Sequence, residues 1–469
     1  MPLYKNVKAS YYDESLKAIV KTPKDKLILK DGIVGELINI ETNVFNKVEK
    51  VIKLIPIEKS NYRVKPICKI FNKCGGCALQ HISYLEQLNI KTKKVQELFD
   101  NTLKLNIKVK PTIGMKDPYH YRNKSQVVFK FNKGKMISGF YEEGTHDVID
   151  YDECHLQDES ANNIIKTIKE LMIKMRISAY DEDRRTGIIR HVLIKTSFTT
   201  KESLVVLVVG TENFPGRNNF IKALTSKCKN ISTIIQNINN RKTSVVLGDK
   251  ETVLYGKGFI YDNLLGYKFK ITSKSFYQIN HEQTEKLYSE AVNLANINSN
   301  EVVLDAYCGV GTIGIIAANK AKKVIGVELV KDAVENAIVN AKNNNIKNIS
   351  FFCQDATNFM VNMARRKEKL DVLIMDPPRS GSTKEFLEAT LLLDPKKIVY
   401  VSCNPYTQVE DLKVLLKNYE IKQIQPVDMF PHTGHVESVV CLTRKWAKIG
   451  LKWTKLSRFE RFWDKNSKN

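Results

Sequence analysis

Residues 302–315 read VVLDAYCGVGTIGI, and this stretch decides the fold. An apolar run ends on an acid, Asp305; a turn containing Gly309 and Gly311 follows, and a second apolar run opens a helix. Glycine lets backbone approach a ligand closely, and the first turn of a helix offers N–H groups that lack an intrahelical partner. The turn is neither a G-x-G-x-x-G dinucleotide fingerprint nor a P-loop, because no Gly-Lys-Ser/Thr follows it.

Four similar runs lie downstream: VIGVEL (324–329), FFCQDA (351–356), VLIMDPP (372–378) and IVYVSCNP (398–405). Helical stretches separate them, and a further helix is predicted over Thr284–Leu294, upstream of the glycine turn. Short apolar strands alternating with helices predict a doubly wound parallel sheet. Glu328 ends the second strand, where doubly wound nucleotide sites place an acid that accepts both ribose hydroxyls. Asp355 follows the third strand, next to the expected adenine, and Asp376 ends the fourth. Acids at successive strand ends with no phosphate loop indicate a nucleoside ligand without phosphate, for which S-adenosylmethionine is the candidate.

The chemistry is read from the last two runs. Asp376-Pro377-Pro378 is followed by Arg379, not by the aromatic residue with which amino-methyltransferases hold an exocyclic amine. Cys403 closes the next strand, and the carboxyl ends of such strands face the ligand crevice. The competing reading, a buried inert thiol, suits Cys228, Cys308, Cys353 and Cys441. A methyltransferase needs a thiol when its target is C5 of uracil, a weak nucleophile: thiolate addition to C6 places carbanion character on C5. A base must later remove the C5 proton, and DMFPHTGHVESVVCL (428–442) offers Glu437. His432, His435 and Glu437 match no standard zinc spacing.

Cys68, Cys74 and Cys77 cluster in CKIFNKCGGCALQH, with Cys154 far downstream in YDECHLQ. Four thiolates can hold zinc or an iron–sulfur cluster, and spacing does not choose between them. Lys+Arg 74 against Asp+Glu 51 gives a net charge of +23, which favours a polyanionic partner, although a merely basic soluble protein shares that composition. The start, MPLYKNVKASYYDES, has no apolar core, and the longest apolar run, Leu204–Val209, is too short to span a bilayer. The expectation is a cytoplasmic monomer with no membrane segment. Four regions are predicted: a β-barrel over 1–58 (KAIVKT, KLILKDGIVGELINI, KVEKVIKLIPI), a central α+β domain over 59–275 with a helical pattern from Tyr84 to Phe99 and, between about 110 and 270, one helix near Ala161–Met175, a catalytic domain over 276–443, and a basic tail over 444–469 holding all three tryptophans.

FYQIN (276–280), DAYCGVG (305–311), GVEL (326–329), DPPRSG (376–381), YVSCNP (400–405) and DMFPHTGHVES (428–438) occur in this order. With these motifs the chain resembles the RNA uracil-C5 methyltransferase family over nearly its whole length. The resemblance implies a class I S-adenosylmethionine methyltransferase fold, with a TRAM/OB-like barrel before the α+β central domain. It implies that Gln278, Tyr307, Glu328 and Asp376 contact S-adenosylmethionine, that Cys403 is the nucleophile, and that Glu437 is the general base. The family branch acting on 23S rRNA carries a 4Fe–4S cluster at cysteines equivalent to Cys68, Cys74, Cys77 and Cys154, whereas the tRNA branch lacks them, so the resemblance implies the cluster and 23S rRNA as partner. The glycine-poor amino-terminal segment and the tryptophan-bearing tail depart from the family pattern. An RNA cytosine-C5 methyltransferase would place a catalytic cysteine where this chain has Asp376-Pro377-Pro378-Arg379. A non-catalytic iron–sulfur RNA-binding factor would need neither Cys403 nor Glu437.

Overall fold

The computed structural model describes residues 3–445, apart from 23, 24, 46, 47, 133, 143, 144, 146 and 244; the tryptophan-bearing part of the expected tail lies outside them. Its carboxyl-terminal half is built on one seven-stranded sheet. Numbered within this sheet, the strands are β1 (Val302–Ala306), β2 (Lys323–Glu328), β3 (Ile349–Cys353), β4 (Val372–Met375), β5 (Lys397–Ser402), β6 (Tyr419–Val427) and β7 (Glu437–Arg444). Their spatial order is 3-2-1-4-5-7-6. Strands β1 to β5 are parallel, and β7 runs antiparallel to both β5 and β6. The order reverses direction between β1 and β4, which opens a ligand crevice at the carboxyl ends of the strands.

Both faces of the sheet's middle are covered, so its central strands β1, β4 and β5 read as near-continuous apolar runs rather than alternating ones. Val303, Ile374, Val399 and Val401 share one core with Leu287, Ala291 and Val292 of helix His281–Ala295. Leu304, Leu373, Met375, Ile398 and Tyr400 point to the other face, among Phe386, Leu412, Val95 and Phe99. The last two come from helix Tyr84–Leu103, which lies inside the stretch read as central domain yet packs into the catalytic core.

The central region is a second seven-stranded sheet, in the order Lys250–Gly256, Ile231–Ile238, Ser203–Val209, Ile189–Thr196, Lys124–Asn132, Lys135–Tyr141, Val148–Asp150. In Ser203–Val209 alternation sends Val205, Leu207 and Val209 toward helices Glu159–Lys174 and Arg217–Lys227, and Leu204, Val206 and Val208 toward the catalytic core. Between about 110 and 270 the sequence predicts one helix, near Ala161–Met175. The second, RNNFIKALTSK, escapes that reading because only Phe220, Ile221 and Leu224 are buried.

The described residues up to 58 form two three-stranded antiparallel sheets around Ala9, Ala18, Val20, Leu29, Ile38 and Ile40. The run KLILKDGIVGELINI is two strands, Lys26–Leu29 and Leu37–Phe45. Between them the buried Glu36 carboxylate accepts from Ile33 N–H and pairs with Arg63 at 2.5 Å. Strand Leu3–Lys8 was not read from the sequence, because mostly exposed residues give it no apolar run. Among the described residues no helix is long and apolar enough to cross a membrane.

Candidate active site

At the end of β1 the buried Asp305 accepts a hydrogen bond from Gly314 N–H at 2.7 Å through Oδ2, while Oδ1 has no partner. Burial pushes its carboxyl up to about 8, against the opposing effect of the Gly314 bond. Gly311 takes φ 81° and caps helix Thr312–Ala318; a Cβ there would lie 2.9 Å from the Phe351 ring. Gly309, at φ 55°, faces open space. Its N–H donates to Glu328 Oε2 at 3.1 Å, and Glu328 Oε1 accepts from Val330 N–H at 2.9 Å. The carboxylate thus ties the glycine turn to β2 with acceptor sites to spare, since an ionised carboxylate has about four.

Tyr307 also has a left-handed backbone, φ 63°, and its ring packs on Phe386. Asp355 lies near it electrostatically and caps helix Ala356–Arg365 through Asn358 N–H, at 2.9 Å. Gln278 arrives from the other side of the crevice, buried, its backbone carbonyl accepting from Asn123 Nδ2 at 2.9 Å. Its side chain and Thr312 both meet the Tyr288 hydroxyl, which joins the Gln278 segment to the first turn of the glycine-capped helix. Asp376 follows β4, partly open to the crevice, and burial of the rest pushes its carboxyl up to about 7.

Antiparallel pairing assembles the other half of the site. Ser402 of β5 lies opposite Ser438 of β7, so the next residues outward, Cys403 and Glu437, leave the ladder side by side. Burial first, then Glu437 and Asp376, push the half-buried Cys403 thiol up to about 11; hydrogen bonding and charge from Arg379 act in the opposite direction. Burial and Asp376 push the Glu437 carboxyl well above the usual range, again opposed by Arg379. Sequence reasoning used Arg379 only to argue against amine chemistry and missed that it faces both groups. Tyr288 was missed as well, for nothing in its helix marks it. Cys308 is buried, as read, but Cys353 is exposed because β3 is an edge strand.

Cys68, Cys74 and Cys154, expected from the sequence to share a site with Cys77, lie within its electrostatic reach. Cys68, Cys74, Cys77 and Cys154 are all half-buried. Burial chiefly, and then Cys154, Cys74 and Cys68, push the Cys77 thiol up to about 12. Gly76 N–H donates to Cys74 Sγ at 3.4 Å and Gln80 Nε2 to Cys77 Sγ at 3.2 Å. The thiols are close enough to act on one another electrostatically, but among the described residues the ligand atoms that gather within 4.8 Å of one another are those of His120, Glu153 and His155, so any group held by the four cysteines would need their wider spacing.

The sheet order, the glycine turn and the acids at the strand ends define a class I S-adenosylmethionine-dependent methyltransferase. Within that class, residues 83–445 match the tRNA (uracil-5-)-methyltransferase family, and the chain belongs to it. An uncharacterized RNA methyltransferase of Clostridium acetobutylicum is 43% identical, over 91% of this chain and 94% of the relative. One of Staphylococcus aureus is 40% identical, over 91% and 95%. The solved tRNA (uracil-54, C5)-methyltransferase of Pyrococcus abyssi, in complex with S-adenosyl-L-homocysteine, is 27% identical with a TM-score of 0.75, covering 93% of this chain and 99% of that one. The chain is therefore an RNA methyltransferase that uses S-adenosylmethionine.

Proposed function

We propose that this enzyme methylates C5 of a uridine in 23S rRNA through a covalent adduct between Cys403 and C6 of the uracil. The observation that carries this reading is the pairing of Cys403 with Glu437 at the β5/β7 ladder end, beside Asp376 and Arg379. Arg379 favours the Cys403 thiolate, which adds to C6 and moves the electron pair of the C5–C6 bond toward C5 and the O4 carbonyl. S-adenosylmethionine, held by Gln278, Tyr307, Glu328 and Asp376, supplies the electrophilic methyl group. Burial holds the Glu437 carboxyl above the usual range, which makes its ionised form, favoured by Arg379, the stronger base; that carboxylate takes the C5 proton, the C5–C6 double bond re-forms, and Cys403 leaves as thiolate.

The four cysteines are assigned to a 4Fe–4S cluster on the family resemblance, with the electrostatic proximity of the other three to Cys77 in support. Protein purified without oxygen should be brown with about four irons per chain; a colourless protein with one zinc would overturn that assignment. The cluster favours 23S rRNA. The tRNA substrate of the Pyrococcus abyssi relative favours tRNA as a second reading. Mapping 5-methyluridine in both RNAs from a strain lacking the gene separates the two. In vitro, RNA tritiated at uridine C5 should release tritium with wild type and none with Cys403→Ala, which should still bind S-adenosyl-L-homocysteine. Comparable turnover by the alanine variant would exclude Cys403 as the nucleophile.

A further inference from the structure

The segment 428–434, which leads into Glu437, is held by hydrogen bonds from distant parts of the chain. The His432 carbonyl accepts from Ala78 N–H at 2.9 Å and Leu79 N–H at 3.0 Å, the two residues that follow Cys77. Gln87, fully buried, accepts from His432 N–H through Oε1 at 3.1 Å. Its Nε2 lies 3.1 Å from His432 Nδ1, 3.0 Å from the Leu79 carbonyl and 2.8 Å from the Ile82 carbonyl. One amide side chain therefore touches both the end of the cysteine loop and the segment leading to the base. One turn further along the helix, Lys91 Nζ meets Asp428 Oδ1 at 2.5 Å and the Phe430 carbonyl at 3.1 Å. Tyr121 donates to the Pro431 carbonyl at 3.0 Å.

His432 itself has φ 65°, a left-handed backbone that a non-glycine residue keeps only where its surroundings hold it. Tyr119 stacks on its ring with centroids 4.5 Å apart and lies within electrostatic reach of Cys77. A segment needing only stability would be served by apolar packing; here a left-handed backbone is tied through the His432 carbonyl to the end of the cysteine loop.

We propose that Gln87 and the backbone of Ala78 and Leu79 position the segment carrying Glu437, so that the four-cysteine site is coupled to removal of the C5 proton. Gln87 is a positioning residue: it touches neither RNA nor cofactor and acts through His432. The inference rests on the uridine-C5 reading for its catalytic part, while the mechanical link stands on the hydrogen bonds alone.

Two measurements on the full chain, purified anaerobically with its metal, test it. Amide hydrogen exchange is compared for wild type, Gln87→Met, and wild type stripped of metal by a chelator under reducing conditions. Loss of one buried hydrogen bond should lower protection about tenfold, here at Ala78, Leu79 and His432, in both perturbed forms. Protection of β1 and affinity for S-adenosyl-L-homocysteine should not move. In single turnover, Gln87→Met should accumulate RNA-linked protein carrying the labelled methyl while tritium release from uridine C5 slows about tenfold or more. Unchanged exchange at His432 in both perturbed forms overturns the link. Loosened exchange with tritium release at the wild-type rate overturns the coupling to proton removal. Should Gln87→Met fail to fold, the stripped wild type gives both readings. Absence of tritium release from wild type would instead remove the uridine-C5 reading, leaving exchange to decide the mechanical link.

Discussion

Replacing Lys91 by methionine isolates the contribution of one buried charge. Lys91 and Asp428 are fully buried, and the Nζ–Oδ1 distance is 2.5 Å. Methionine approximates the length of the lysine stem and fills most of its volume, so packing changes little. What is lost is the partner of Asp428, which keeps only the Tyr84 hydroxyl at 2.9 Å. Breaking a buried pair from one side costs about 3–5 kcal/mol, because the remaining charge stays desolvated. The surviving Tyr84 bond places the expected loss at the low end, about 3 kcal/mol. The double variant Lys91→Met/Asp428→Asn removes both charges and should recover more than half of that loss. Urea unfolding followed by circular dichroism reads both, since a shifted midpoint with an unchanged slope reports stability alone. A single-variant loss below about 1 kcal/mol would refute the reasoning, as would a double variant no more stable than the single one.

Glu437→Gln keeps the size of the side chain but not its basicity, so a covalent enzyme–RNA species labelled from S-adenosyl-[methyl-³H]methionine should accumulate; its absence, where wild type turns over, would remove Glu437 from the mechanism. With the Cys403 thiol near 11, its alkylation by iodoacetamide, followed by peptide mapping, should quicken about tenfold per pH unit across the neutral and mildly alkaline range, and Arg379→Gln should slow it at every pH; a plateau near neutrality would contradict the buried, acid-flanked thiol. Asp305 has a folded value of about 8 against an ordinary 3.8, so its contribution to stability is complete below the ordinary value and is lost as pH rises through about 8. Asp305→Asn should flatten that part of the fall in urea midpoint between about pH 4 and 8 in ligand-free protein, and an unaltered slope would show that Asp305 does not titrate there.

The glycine turn and the parallel strands were legible because a sheet buried on both faces leaves unbroken apolar runs bounded by acids at its open ends. The pairing of Cys403 with Glu437 was legible only through resemblance: no local spacing reveals that β7 enters between β5 and β6. The helix Tyr84–Leu103 was visible over most of its length, but its attachment was not. Gln87 and Lys91, one turn apart, look like a solvated face and are fully buried. What buries them is His432 and Asp428, more than three hundred residues away. Arg379 was invisible as a site residue for a similar reason, since its two acidic-side neighbours come from different strands.

Because β7 fills the gap between two neighbours that precede it in the chain, the sheet is finished by insertion rather than by growth at an edge. A ribosome delivers β5 and β6 first, each with an unsatisfied backbone edge and apolar residues on both faces. Those edges invite mispairing until the final strand is released. The same strand begins at Glu437, so the segment that seals the nascent domain against aggregation also brings the base. On the proposed mechanism, a chain halted before that point would hold the thiol and the pocket yet have no means of letting go of a captured RNA.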